Sequence, residues 1–164
     1  MRRELYGVDG SCNPPCPLSE IQSFADSIIA QGLETVVLIG QGGSTQAPMT
    51  ITKYNKPDSS AVTFRTLDSD SPVRVRAMLA EADPHTTLFI ISSKSGGTIE
   101  PRLALRAVRD AVADRIGEEE LVQHLVAITD PGSQLERQAR EEGWAAVFSG
   151  EPTVGGRFSA LSGF

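Results

Sequence analysis

Residues 87–98 read TLFIISSKSGGT, and the stretch changes character halfway. Thr87 to Ser92 is apolar and rich in β-branched side chains, as a strand buried on both faces requires. Six residues of hydroxyls, glycines and one lysine follow, Ser93 to Thr98. Behind them Ile99, Leu103, Ala107, Val108, Ala111 and Val112 stripe one face of a helix. Strand, turn and helix in that order form the repeating unit of a parallel sheet, because parallel neighbours need a long crossover between them. Upstream, Leu18, Ile21, Phe24, Ala25, Ile28 and Ile29 recur at helical spacing, with Ser19 and Gln22 predicting a capping box and Gly32 a stop. Thr35 to Ile39 predicts a strand, and Pro48 places the next helix over about Gln46 to Tyr54. Ala61 to Thr66 predicts a strand, and Ser71-Pro72 opens a helix carrying Val75, Met78 and Leu79. Downstream, His124 to Thr129 predicts a strand, Ser133 and Glu136 box a helix ending at Gly143, and Ala145 to Phe148 predicts a fifth strand. Five strands separated by helices imply right-handed crossovers. The fold class is therefore α/β, a doubly wound five-stranded parallel sheet flanked by helices.

A chain of 164 residues suits one domain. Residues 1–17, with Gly7, Gly10, Pro14, Pro15 and Pro17, read as an N-terminal arm or linker, and 18–164 as the folded domain. Hydrophobic residues make up 40% and charged ones 22%, which argues against a fibrous or disordered chain. Fifteen Lys and Arg against twenty-one Asp and Glu give a net charge of -6, so nucleic acid is not the expected partner. No apolar run reaches the ~20 residues of a membrane span. The N-terminal prolines break the only place for a signal peptide's apolar core, so a soluble cytoplasmic domain is expected. Cys12 and Cys16 have no His or third Cys nearby and read as incidental loop thiols, so no metal is expected.

In doubly wound sheets, ligands bind beyond the carboxyl ends of the strands, where the strand order reverses. Three strand-to-helix turns have suitable composition: Gly40 to Ser44, Ser92 to Thr98, and Thr129 to Ser133. With strand order 2-1-3-4-5, the first two face each other across the crevice. In the second, glycines let backbone approach a ligand, and Ser93, Ser95 and Thr98 add donors suited to phosphate at a helix start. A helix cap alone needs one hydroxyl, and this turn carries four. The first turn has Thr45 where a dinucleotide fingerprint needs glycine, which argues against NAD although Asp68 follows the second strand. No G-K-[ST] follows the glycines, which excludes a P-loop. Arg157, between Gly156 and Ser159, is a further anion candidate or else a solvated arginine. His85 and His124 have no partner at a catalytic spacing and read as structural. Trp144, Phe89 and Phe148 read as core, and Glu118 to Glu120 as a solvated helix start.

Three segments carry a resemblance: Ile39 to Pro48 (IGQGGSTQAP), Ser92 to Pro101 (SSKSGGTIEP) and Val154 to Ser162 (VGGRFSALS). Together, over roughly residues 34–164, they resemble the glucose-6-phosphate isomerase family, specifically its first sugar isomerase (SIS) domain, a flavodoxin-like three-layer αβα sandwich. The SGGT and TDPGS variants are similar to the isomerase half of bacterial transaldolase–isomerase fusions. The resemblance implies a hexose 6-phosphate substrate, no cofactor and proton transfer through a cis-enediol. It gives Ser93, Ser95 and Thr98 to the sugar phosphate, with Lys94 supplying backbone contacts and positive charge. Gly43 and Ser44 would touch the open-chain sugar, and Glu100 would support a ring-opening histidine. Arg157 would stabilise the enediol charge. The family is far longer, and its glutamate base, its ring-opening histidine and a C-terminal lysine have no counterpart here. Ending at Phe164, the chain is expected to be shortened and to bind better than it turns over. A non-catalytic sugar-phosphate sensor and a single-domain SIS isomerase completed by a homodimer are the other readings.

Overall fold

The computed structural model describes residues 16–54 and 62–153. Its elements are α1 (Leu18–Ala30), β1 (Thr35–Gly40), α2 (Gly43–Tyr54), β2 (Thr63–Leu67), α3 (Pro72–Glu81) and β3 (Thr87–Ser92). There follow α4 (Ile99–Ile116), α5 (Glu118–Leu121), β4 (Leu125–Thr129), α6 (Gln134–Glu141) and β5 (Ala146–Ser149). All strand pairs are parallel and the order is β2-β1-β3-β4-β5, so the reversal falls between β1 and β3 as expected.

The two-residue period of a strand sorts its side chains between two layers. Val37 and Ile39 of β1, Phe89 and Ile91 of β3, and Leu125 and Ala127 of β4 share one core with Val75 and Met78 of α3, Leu105, Val108 and Val112 of α4, and Leu135 of α6. Leu88 and Val126 face the other way, against Ile28 of α1 and Leu33. Phe24 of α1 meets Phe148 of β5 edge to face, ring centroids 5.4 Å apart, and closes this thinner layer. Phe89 is fully buried and Trp144 nearly so, as read from sequence.

Helix ends follow the local signals with two corrections. Gly32 (φ 80°) and Gly143 (φ 69°) end α1 and α6, with Leu33 N–H bonded to the Ile28 carbonyl and Trp144 N–H to that of Ala139. At the start of α1, however, Ser19 forms no capping box. Pro17 precedes the helix, Leu18 is its first residue and no side chain caps it. Helix α2 starts at Gly43 rather than Gln46, which leaves Pro48 inside it. Pro48 cannot donate to the Ser44 carbonyl, and the helix starts ahead of it where the amides of Thr45 and Gln46 both reach the Gly42 carbonyl (3.2 and 3.1 Å). The second and fifth strands lie slightly later than expected. His124 sits in a one-turn 3-10 segment before β4, its Nδ1 2.9 Å from the Thr87 carbonyl oxygen.

A charged cluster braces α4 against α6. Arg109 of α4 donates to Glu142 (2.6 Å) and to Glu118, while Trp144 Nε1 and Gln138 Nε2 also donate to Glu142 (2.8 and 3.0 Å). Burial pushes the Glu142 carboxyl up, but the bonds from Trp144, Arg109 and Gln138 outweigh it and hold it below the usual glutamate range. A carboxyl whose folded pKa is depressed adds stability that is present above its unfolded pKa and lost as pH falls through the folded one. Urea titrations should therefore place Glu142→Gln well below wild type at pH 7. The two should converge as pH drops below about 4.3, the ordinary glutamate value. A gap that stays constant down to pH 3 would contradict this account.

Candidate functional site

The carboxyl ends of β1 and β3 come together because Gly40 pairs in register with Ser92. A Cβ at position 40 would lie 2.8 Å from the Ser92 carbonyl oxygen, so β1 must end in glycine for the two strands to approach. Beyond Gly40 the chain turns at Gly42, and Gly43 and Ser44 open α2 half-buried at the mouth of the crevice. Thr45, which sequence reading treated only as a missing glycine, is fully buried, its hydroxyl 3.2 Å from the Gly42 carbonyl oxygen. Asp68, the candidate ribose-binding acid, lies 3.4 Å from Arg74.

The second turn is tightly built. Ser93 N–H extends the sheet to the Ile128 carbonyl (3.1 Å), and Gly96 N–H returns to the Ser93 carbonyl (3.1 Å). Ser95 is exposed, and its hydroxyl accepts from Gly97 N–H at 3.3 Å. Thr98 occupies the N-cap position of α4 in an extended conformation, but its side chain makes no cap hydrogen bond. The amides of the first turn of an 18-residue helix are thus left without the side-chain acceptor that usually covers them. Ser93 is 5% exposed, and its hydroxyl has no hydrogen-bond partner among the described residues. Glu100 sits half-buried in that same first turn.

The third turn anchors the second. Thr129 Oγ1 lies 2.7 Å from the Ser93 carbonyl oxygen, 3.2 Å from that of Lys94 and 2.8 Å from Ser133 Oγ. Ser133 in turn caps α6 by accepting from Glu136 N–H at 2.9 Å. Glu136 completes the box differently from the usual pattern, reaching Gly132 N–H at 2.5 Å rather than the cap residue's own amide. That backbone bond, helped by Arg140, holds its carboxyl below the usual range.

Lys94 is where the structure adds most to the sequence reading. Its ammonium sits 2.8 Å from both carboxylate oxygens of Asp130 and 2.7 Å from the Glu151 carbonyl oxygen. Lys94 and Asp130 side chains are each 20% exposed. The lysine charge is matched locally, so the positive potential facing the crevice comes from oriented amides more than from the ammonium. The pair ties the second turn to the third and to the exit of β5. Thr129 and Asp130 were read only as members of a turn; that they fasten the serine loop is the functional information the sequence did not disclose.

The structure thus places Gly43 and Ser44 at the start of α2, and Ser93, Lys94, Ser95, Thr98 and Glu100 at the turn into α4, both beyond the carboxyl ends of the paired strands β1 and β3. Arg157, with Gly155 and Gly156, lies outside the described residues, as does Cys12. His85 is exposed, its Nδ1 3.0 Å from Glu120. Among the described residues no group of three or more His, Cys, Asp or Glu could hold a metal ion, and no helix is long and apolar enough to cross a membrane. Amides, hydroxyls and a helix start are what a tetrahedral oxyanion requires.

The family model described as phosphoglucose isomerase matches residues 21–164. A glucose-6-phosphate isomerase from a Nostoc species is 33% identical over 155 residues, covering 88% of this chain and 29% of that protein. The crystal structure of a glucose-6-phosphate isomerase from Chlamydia trachomatis superposes with a TM-score of 0.76 at 28% identity, over 88% of this chain and 28% of that one. A hypothetical protein from Thermus thermophilus superposes with a TM-score of 0.79 at 35% identity, over 88% of this chain and 34% of its own. The chain therefore spans under a third of the length of the curated relative and of the Chlamydia structure.

Proposed function

The chain belongs to the phosphoglucose isomerase family, and from that premise we propose that its crevice holds the 6-phosphate of glucose 6-phosphate or fructose 6-phosphate. The observation that carries the reading is the Ser93 hydroxyl, buried and unpartnered beside the start of α4. A buried polar group without a partner costs about 1–3 kcal/mol, and an anion seated on the loop would give it an acceptor. Ser95 and Thr98 stand on the same loop with hydroxyls free to donate, and the α4 amides supply the remaining donors. Gly43 and Ser44 approach from β1 and would meet the open-chain sugar. Glu100 would support ring opening, and Arg157 would meet the charge that develops on the enediol oxygens during aldose–ketose proton transfer.

In this reading the SIS fold supplies the phosphate grip and the anion-stabilising side of an isomerase acting in the cytoplasm, without a cofactor. The family's general base has no matched residue in this chain, so binding rather than turnover is what the chain should display by itself. Ser93→Ala separates the roles by sign. Without ligand the variant should melt at or slightly above the wild-type temperature, because an unsatisfied hydroxyl is gone. With millimolar fructose 6-phosphate, wild type should rise by a few degrees. The variant's rise should shrink to a level matching at least a tenfold weaker Kd. Equal rises in both proteins would remove Ser93 from the site, and no rise in wild type would remove the sugar-phosphate reading for this chain.

A further inference from the structure

Two buried hydroxyls stand in line behind the serine loop, and each has a single proton to give. Ser133 Oγ accepts the cap bond of α6 from Glu136 N–H at 2.9 Å, so its own proton goes to Thr129 Oγ1, 2.8 Å away. Thr129, 1% exposed, passes its proton forward to the Ser93 carbonyl at 2.7 Å, with the Lys94 carbonyl sharing it at 3.2 Å. The line of donors therefore runs one way, from the start of α6 into the loop. Each of these carbonyls takes a backbone amide as well, Gly96 N–H on Ser93 at 3.1 Å and Asp130 N–H on Lys94 at 2.9 Å. A trans peptide sets a carbonyl and the following N–H on opposite sides, and no described peptide bond is cis. The order of the sheet puts β4 on one side of β3 and β1 on the other. Carbonyls drawn toward the β4 turn thus send the next two amides, those of Lys94 and Ser95, the other way. Ser95 N–H has no acceptor among the described residues.

We propose that Thr129 is a positioning residue of the crevice: by holding the Ser93 and Lys94 carbonyls against the third turn, its hydroxyl aims the Lys94 and Ser95 amides at the bound anion. The proposal rests on the sugar-phosphate reading above and adds to it a residue that stays buried behind the loop. Donors fixed in place before the ligand arrives need no reorientation when it binds, so aim converts directly into affinity. Without the hydroxyl, each carbonyl keeps only its backbone amide, and the two peptides can tilt. The threonine methyl fills space in the buried turn, whereas the hydroxyl sets direction. Packing and aim are therefore separable at this one position.

Calorimetric titration of the 164-residue chain with fructose 6-phosphate, beside a melting curve for each variant, tests this. Thr129→Val keeps nearly the same shape and loses the hydroxyl, and its Kd should rise about tenfold, the share of one hydrogen bond to a charged ligand. Thr129→Ser keeps the hydroxyl and loses the methyl, so it should melt lower than wild type yet bind with a Kd close to it. Ser133→Ala removes the α6 cap but leaves Thr129 its bond to Ser93, so it too should lose Tm without a comparable loss of affinity. Should Thr129→Val fail to fold, the other two variants still decide, because affinity that falls together with Tm in either of them overturns the proposal. Equal affinity in Thr129→Val and wild type overturns it alone and leaves the sugar-phosphate reading standing. A wild-type chain that does not bind fructose 6-phosphate overturns that reading and this proposal together.

Discussion

Gly96→Ala is expected to destabilise the protein by about 3 kcal/mol, the sum of a left-handed backbone that a side chain resists and a collision with α6. Gly96 has φ 67°, and a Cβ there would lie 2.8 Å from Leu135 N, 3.0 Å from Leu135 Cβ and 3.1 Å from Ser133 Cβ. The nearest of these is backbone at the start of α6, which cannot swing aside as a side-chain tip could. For a chain of this size the loss corresponds to roughly 6–12 °C in Tm. Gly97→Ala is the control, since its Cβ would meet only Ser95 Oγ at 3.8 Å. That variant should stay within about 0.5 kcal/mol of wild type. Chemical denaturation of the two reads the difference. If they match, the contact between the serine loop and α6 is not what seats the loop. Gly96→Ala should also weaken sugar-phosphate binding, because the segment displaced is the loop proposed to hold the phosphate.

Lys94→Met is expected to cost about 2–3 kcal/mol, somewhat under the usual penalty for orphaning one member of a buried ion pair because both side chains keep some solvent contact. The substitution leaves the Asp130 carboxylate without its closest cation and the Glu151 carbonyl without the ammonium 2.7 Å away. Adding Asp130→Asn to Lys94→Met should restore part of the loss. A cycle of the two single variants and the double variant, followed by urea denaturation, should then give a coupling of at least 1 kcal/mol. Strict additivity would show that the two groups are neighbours without mutual dependence.

Those two positions also mark how far the sequence could be read. The sheet was legible because Thr87 to Ser92 and the other apolar runs can only be strands buried on both faces, and the helices between them force parallel pairing. The serine loop was legible because it holds more hydroxyls than a cap uses. Which hydroxyl is buried was not, since Ser93, Ser95 and Thr98 look alike in one dimension and differ only in how β4 and α6 crowd them. Nor was the Lys94–Asp130 pair, whose members lie 36 residues apart and meet through the sheet. Local rules misplaced two helix starts for physical reasons. Pro17 already fixes the entry to α1 ahead of Ser19, and the Gly42 carbonyl starts α2 early enough to carry Pro48 inside it.

The reversal of strand order that opens the crevice also governs how the sheet can be assembled. Thr35 of β1 must find both Thr63 and Thr87, and β3 must wait for β4 to begin at Leu125, so no strand pair can close as a hairpin. Each pairing pays for loop closure before it gains contacts, which places the chain among slow folders. During vectorial synthesis β2 emerges first and covers one edge of β1. The other edge of β1, which pairs with β3 in the folded chain, stays open until β3 has been made. In that interval the future floor of the proposed binding site is an adhesive strand edge, and the window lasts as long as the ribosome takes to deliver α3 and β3.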